Sequence, residues 1–159
     1  MKKLIISFFL ALVTMGSFAQ KNAFEKYSDM EGVTSVLITQ NMLNLFSGNE
    51  SMDFGGVKVG DFVNKLSSIL ILTSENKKTA SEMLSLVNKQ VSGKDYELLM
   101  RVKSEKKENV NFFMKGKPES IRELIMVVDG GDGESVIMQF LGNFTLKDVQ
   151  QMTSGIKKK

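Results

Sequence analysis

Apolar and polar residues alternate in short runs along the second half of the chain, between residues 96 and 142. Residues 96–103 set Tyr96, Leu98, Met100 and Val102 on one face, and residues 110–115 do the same with Val110, Phe112 and Met114. Residues 121–128 are apolar almost throughout, and residues 135–141 close the series. Polar stretches separate the runs: residues 104–109, Lys117-Pro118-Glu119-Ser120, and the glycine-rich Asp129-Gly130-Gly131-Asp132-Gly133. Successive side chains of an extended chain point to opposite faces. A period of two punctuated by Gly, Asp, Asn and Pro therefore predicts a four-stranded antiparallel meander.

The first half mixes periods. Phe24, Tyr27 and Met30 predict a short amphipathic helix over residues 21–30, ended by Gly32, and residues 33–39 read as a β-branched strand. Residues 40–46 suggest a brief helix with Thr39 as cap. Residues 47–60, carrying Gly48, Gly55, Gly56 and Gly60, read as an irregular mobile loop. A helical turn over 61–66 leads to a buried strand at 68–73. Ser74 is then the expected cap of a helix over 75–91, whose apolar face is Ala80, Met83, Leu84, Val87 and Val91 and whose stop is Gly93. Thr145-Leu146-Lys147-Asp148 resembles a capping box with Asp in place of Glu and opens a last helix. Helical material joins the first two long strands, which allows them to lie parallel through a right-handed crossover. The expected fold is a single α+β domain: a mixed sheet of about six strands ending in the four-stranded antiparallel meander, with helices mainly on one face.

The first 19 residues stand apart from this pattern. Lys2 and Lys3 precede an apolar run from Leu4 to Met15, and Ser17-Phe18-Ala19 has the small-x-small form of a signal-peptide cleavage site. The run is shorter than the roughly 20 residues of a spanning helix. Cleavage after Ala19 leaves a 140-residue domain, residues 20–159, expected to be periplasmic or secreted. Loss of Lys2 and Lys3 also lowers the balance of 21 basic and 18 acidic residues to +1. With no basic stripe interleaved with aromatics, nucleic acid is not an expected partner. The Lys157-Lys158-Lys159 end reads as a solvated tail.

The chain has no cysteine and no histidine, which excludes disulfides, thiolate or imidazole metal sites, and Ser-His-Asp or Cys-His nucleophile systems. Ser74-Glu75-Asn76-Lys77 has the Ser-x-x-Lys spacing of penicillin-recognising enzymes, but so do Ser104 with Lys107 and Ser154 with Lys157, and no companion motif is present. Three acids in the turn at 129–134 invite weak calcium binding, yet a turn that uses the positive φ of glycine explains them. Met100, Met114, Met126 and Met138 fall one per strand, read as adaptable core filler or as an apolar binding surface. Glu123 shares a face with Ile125 and Val127 in one register and is exposed in the other; buried, it needs a partner. Arg101 and Arg122 sit at polar-side positions suited to pairing with acids. Leu99 and Phe113 project away from the core residues of their own strands, so a second apolar sheet face is expected. The candidate binding residues are Leu99, Phe113, Met114, Met126 and Glu123; no catalytic residue, metal or cofactor is expected.

Several stretches together resemble one family: residues 32–39 with Met42-Leu43 just after, residues 68–74, residues 96–102, residues 123–128, and residues 141–149. They are similar to the family catalogued as domain of unknown function 4252, small exported bacterial proteins. The resemblance spans nearly the whole mature chain and implies an envelope or secreted location, without implying any catalytic residue. Some relatives look like lipoproteins, from which this cysteine-free chain departs. The expected function is that of an exported, non-catalytic domain acting by protein–protein interaction, with an envelope protein or by self-association. An alternative is a small apolar-ligand or lipid carrier. A carboxylate-based hydrolase using Glu123 ranks third.

Overall fold

The computed structural model describes residues 24–46, 53–54, 57–58, 60–105 and 108–153. In chain order a 3-10 turn (Glu25–Tyr27) precedes β1 (Thr34–Thr39), α1 (Gln40–Phe46), β2 (Asp53–Phe54), β3 (Val57–Lys58) and α2 (Gly60–Val63). There follow β4 (Leu66–Ser74), α3 (Lys77–Val91), β5 (Tyr96–Lys103), β6 (Asn109–Lys117), β7 (Ser120–Asp129), β8 (Ser135–Phe144) and α4 (Leu146–Thr153). Six strands form one open sheet in the order β1-β4-β8-β7-β6-β5, and β2 and β3 form a separate small hairpin. The proposed signal peptide, the greater part of the 47–60 segment and the lysine tail lie outside the described residues.

The α+β class, the six strands and the closing meander follow the patterning, while two details of the expected fold are corrected. Every strand pair is antiparallel, so the sheet is not mixed. Thr39 at the end of β1 pairs with Ser68 near the start of β4, so the connection returns at the end where it left and makes no crossover. Helices also cover both faces rather than mainly one. The reason lies in the central strands, which are apolar on both sides and need cover on both.

On one face Leu70, Leu72, Ile125, Val127 and Ile137 pack against Met83, Val87 and Val91 of α3 and against Phe24 and Tyr27. On the other, Ile69, Leu124, Phe140 and Met114 pack against Leu43 of α1, Phe62 and Val63 of α2 and Val149 of α4. Phe62 meets the Phe144 ring edge-on at 4.9 Å between centroids. These are termed the α3 face and the α4 face.

Local chemistry sets the ends of the elements. Asn76, and not Ser74, caps α3: its side chain accepts from the backbone N–H of Lys78 and Thr79. Ser74 is the last residue of β4 and donates its hydroxyl to the Gly32 carbonyl at 2.8 Å, tying the N-terminal segment to the sheet. Among the described residues of the segment expected as a helix over 21–30, the helical part is the 3-10 turn, although Phe24 and Tyr27 are buried as its apolar spacing requires. The capping box at α4 forms as expected: Asp148 accepts from the Thr145 N–H, and the Thr145 hydroxyl accepts from the Asp148 N–H. A bulge between Leu98 and Met100 breaks the expected alternation of β5. Tyr96 and Leu98 therefore face α3, while Met100 and Val102 face the opposite way. At Gly142 a Cβ would collide with the backbone carbonyl of Lys65, where β8 passes the irregular start of β4.

Candidate functional site: an open apolar band on the sheet

Register turns single apolar residues into rows. On the α4 face, Ile38, Ile69, Phe140, Leu124 and Met114 lie side by side across five strands, and α1, α2 and α4 bury that row. The next row reads Val36, Ile71, Met138, Met126, Phe112 and Met100, one residue from each strand in sheet order. The third reads Thr34, Thr73, Val136, Val128, Val110 and Val102. Phe112 is buried. Val36, Met100 and Val102 are 48, 42 and 47% exposed at the ends of the rows, and the remaining apolar members of the two rows are half-buried. An apolar band thus crosses the sheet at the margin of the helix-covered core, against which Ile71, Val110, Met126 and Met138 pack.

All four methionines of the meander point to this face. Met100, Met126 and Met138 belong to the band, and Met114 belongs to the buried row beneath the helices. At the β5 side the band runs into a groove of about 280 Å3 lined by Leu99, Met100, Phe112, Leu146, Val149 and Gln150, between the sheet and α4.

The α3 face carries the polar chemistry. Glu123 is only 8% exposed and accepts two hydrogen bonds: one from the Tyr96 hydroxyl at 2.9 Å, the other from the Gln139 amide at 2.5 Å. Gln90 at the end of α3 donates to the Tyr96 oxygen at 3.4 Å. Lys115, directly opposite Glu123 in the register, pairs instead with Asp95 at 3.4 Å and lies 5.3 Å from the centre of the Tyr96 ring. Burial pushes the Tyr96 phenol up to about 12, opposed by the Gln90 hydrogen bond and reinforced by the Glu123 charge. Glu123 is therefore the buried, partnered carboxylate of the first register, holding β7 to the start of β5 and the middle of β8.

Two further clefts flank α3. One of about 520 Å3 is lined by Lys77, Ser81, Ser85, Asn88, Asp129 and Glu134 among others; its neighbour of about 330 Å3 is lined by Asn88, Arg101, Lys103, Asn109, Asn111 and Asp129 among others. Arg101 donates to Asn111 at 2.8 Å, an amide where an acid was expected. In the glycine-rich turn Asp129 accepts from the Gly131 N–H, and φ is positive at Gly131 and Gly133, as that turn requires. Among the described residues no group of three acidic side chains is arranged to hold a metal ion. No helix among them is long and apolar enough to cross a membrane.

The five candidate residues divide between the faces. Leu99 lines the groove, Met126 lies in the band and Met114 is buried below it, whereas Phe113 and Glu123 belong to the α3 face. The structure brings Met126 together with Met100, Met138, Val102, Val110, Val128 and Val136, none of them among the five candidates. The available signal was a valine near the turn-proximal end of each meander strand: Val102, Val110, Val128 and Val136.

The fold and its surface define a small α+β domain with one sheet face left partly open. The family model for a domain of unknown function, DUF4252, matches residues 27–152, and the chain belongs to that family. A comparison with curated proteins finds no match.

Proposed function

We propose that the protein is an exported, non-catalytic domain that acts by binding another protein of the cell envelope or exterior through the open band on the α4 face. The observation that carries this reading is the pair of cross-strand rows, free of charge, one apolar over all six strands and the other over the four of the meander. A contiguous apolar surface of this kind is disfavoured on a solitary soluble domain and suits a protein interface. Methionine supports it further, since unbranched side chains adapt to a partner's shape. The first 19 residues support export.

The test compares capture from an envelope fraction by the wild-type protein, a Met100→Lys/Val102→Lys variant and a control, Lys89→Glu, on the exposed side of α3. Binding lost in the first variant and kept in the control is the expected result. Equal capture by all three, or none by any, overturns the reading.

The groove beside α4 favours one second reading, a carrier of a small apolar ligand. Its 280 Å3 lie close to the lower end of ligand-pocket volumes. Native mass spectrometry of the purified protein decides this: a bound lipid-sized mass supports the carrier, and an unliganded mass removes it.

A further inference from the structure

Among the described residues the sheet ends on β1 at one side and β5 at the other, and the two edges are built differently. β5 carries Glu97, Arg101 and Lys103 and is broken by the bulge at Leu98–Met100, both devices that discourage another strand from adding there. β1 has neither. Its sequence, Thr34-Ser35-Val36-Leu37-Ile38-Thr39, holds no charge, proline or glycine, and its six residues pair with β4 without a register shift. One backbone edge of β1 has no neighbouring strand in the sheet, and Val36 and Leu37 are 48 and 51% exposed.

From these differences we infer that β1 pairs antiparallel with β1 of a second copy of this chain, joining two six-stranded sheets across a two-fold axis. The occupant is argued from self-complementarity. In an antiparallel pair, opposed residues share a face, so a two-fold must relate residues of like parity. A register centred on Leu37 opposes Leu37 to itself, Val36 to the second copy's Ile38, and Ser35 to its Thr39. Each pair is matched in polarity, and no like charges meet. Val36, which begins the open row, then lies beside the second copy's Ile38, an apolar residue on the same face. A head-to-tail pairing of β1 with β5 has no such match and leaves free ends; the isologous pairing closes. This inference goes beyond the binding reading above and rests on the edge, not on the face.

Sedimentation velocity of the processed protein, from micromolar to millimolar concentration, tests it. The expected result is a species of twice the monomer mass in the wild type, reduced to monomer by Leu37→Lys and retained in Met100→Lys/Val102→Lys. A monomer throughout overturns the proposal, as does a dimer that survives Leu37→Lys or one that only the Met100→Lys/Val102→Lys variant abolishes. Because the chain has no cysteine, Leu37→Cys supplies a single thiol and an independent reading. Mild oxidation is expected to give a covalent dimer at Leu37→Cys and none at Met100→Cys; the same low yield at both sites overturns the register.

Discussion

Glu123 shows how one carboxylate is made structural. Both of its oxygens are engaged, by Tyr96 and Gln139, and its removal takes an acceptor from each. Glu123→Ala is expected to lower stability by about 1–3 kcal/mol in urea unfolding, the cost of leaving a buried partner unsatisfied. Tyr96 adds a pH dependence. Its folded phenol titrates near 12 and an unfolded one near 10, so above pH 10 the unfolded chain loses its proton first. Stability contributed by the neutral phenol is complete below about pH 10 and declines as pH rises toward 12. Tyr96→Phe is expected to flatten that part of the alkaline unfolding curve. Asp148 behaves oppositely. The Lys65 ammonium 2.6 Å away, with the Thr145 N–H and hydroxyl, holds its carboxyl below the usual carboxylate range against the effect of burial. Its contribution is present at neutral pH and lost as pH falls below the ordinary value near 4. Lys65→Met should weaken that acid dependence in the same assay.

Among the elements, those with a long, consistent period were legible and those decided by one contact were not. The face of α3 was readable from Ala80, Met83, Val87 and Val91, all of which are buried. Its cap was not, because Ser74 and Asn76 are both suitable residues and the Gly32 carbonyl takes the serine hydroxyl. Asn76→Ala is accordingly expected to cost about 1 kcal/mol in thermal or urea unfolding, the usual loss for a capping residue. The bulge in β5 was also invisible, since Leu98, Leu99 and Met100 are all apolar and the pattern admits either face for each. Glu123 stayed ambiguous for a related reason: β7 is apolar on both sides, so its own sequence does not choose a register. At Gly142 a Cβ would press on the Lys65 backbone, which cannot withdraw as a flexible side chain could. Gly142→Ala should lower the unfolding midpoint, whereas the same change at Gly93, where a Cβ would meet only ordinary contact, should not.

At the scale of the molecule, strand order turns scattered residues into a surface. Val102, Val110, Val128 and Val136 lie far apart in sequence and become neighbours only once β5 to β8 are set in register. The open face was expected on the side of Leu99 and Phe113, but Phe113 packs on the α3 face and the band lies on the side of Met100, Val102, Val110 and Phe112, which the alternation had marked as core; of the five candidates, only Met126 lies in it, with Leu99 beside it. That face is the centre of the account. Methionine oxidation by dilute peroxide, followed by peptide mass spectrometry, reads it most directly, because thioether reactivity follows exposure. An open band requires that, among the methionines of the meander, Met100 oxidises fastest, that Met126 and Met138 follow well ahead of Met114 and of Met83 in α3, and that an envelope extract protects Met100, Met126 and Met138 together. If Met126 and Met138 in the purified protein are as resistant as the buried Met83 and Met114, the band is covered and the account is wrong.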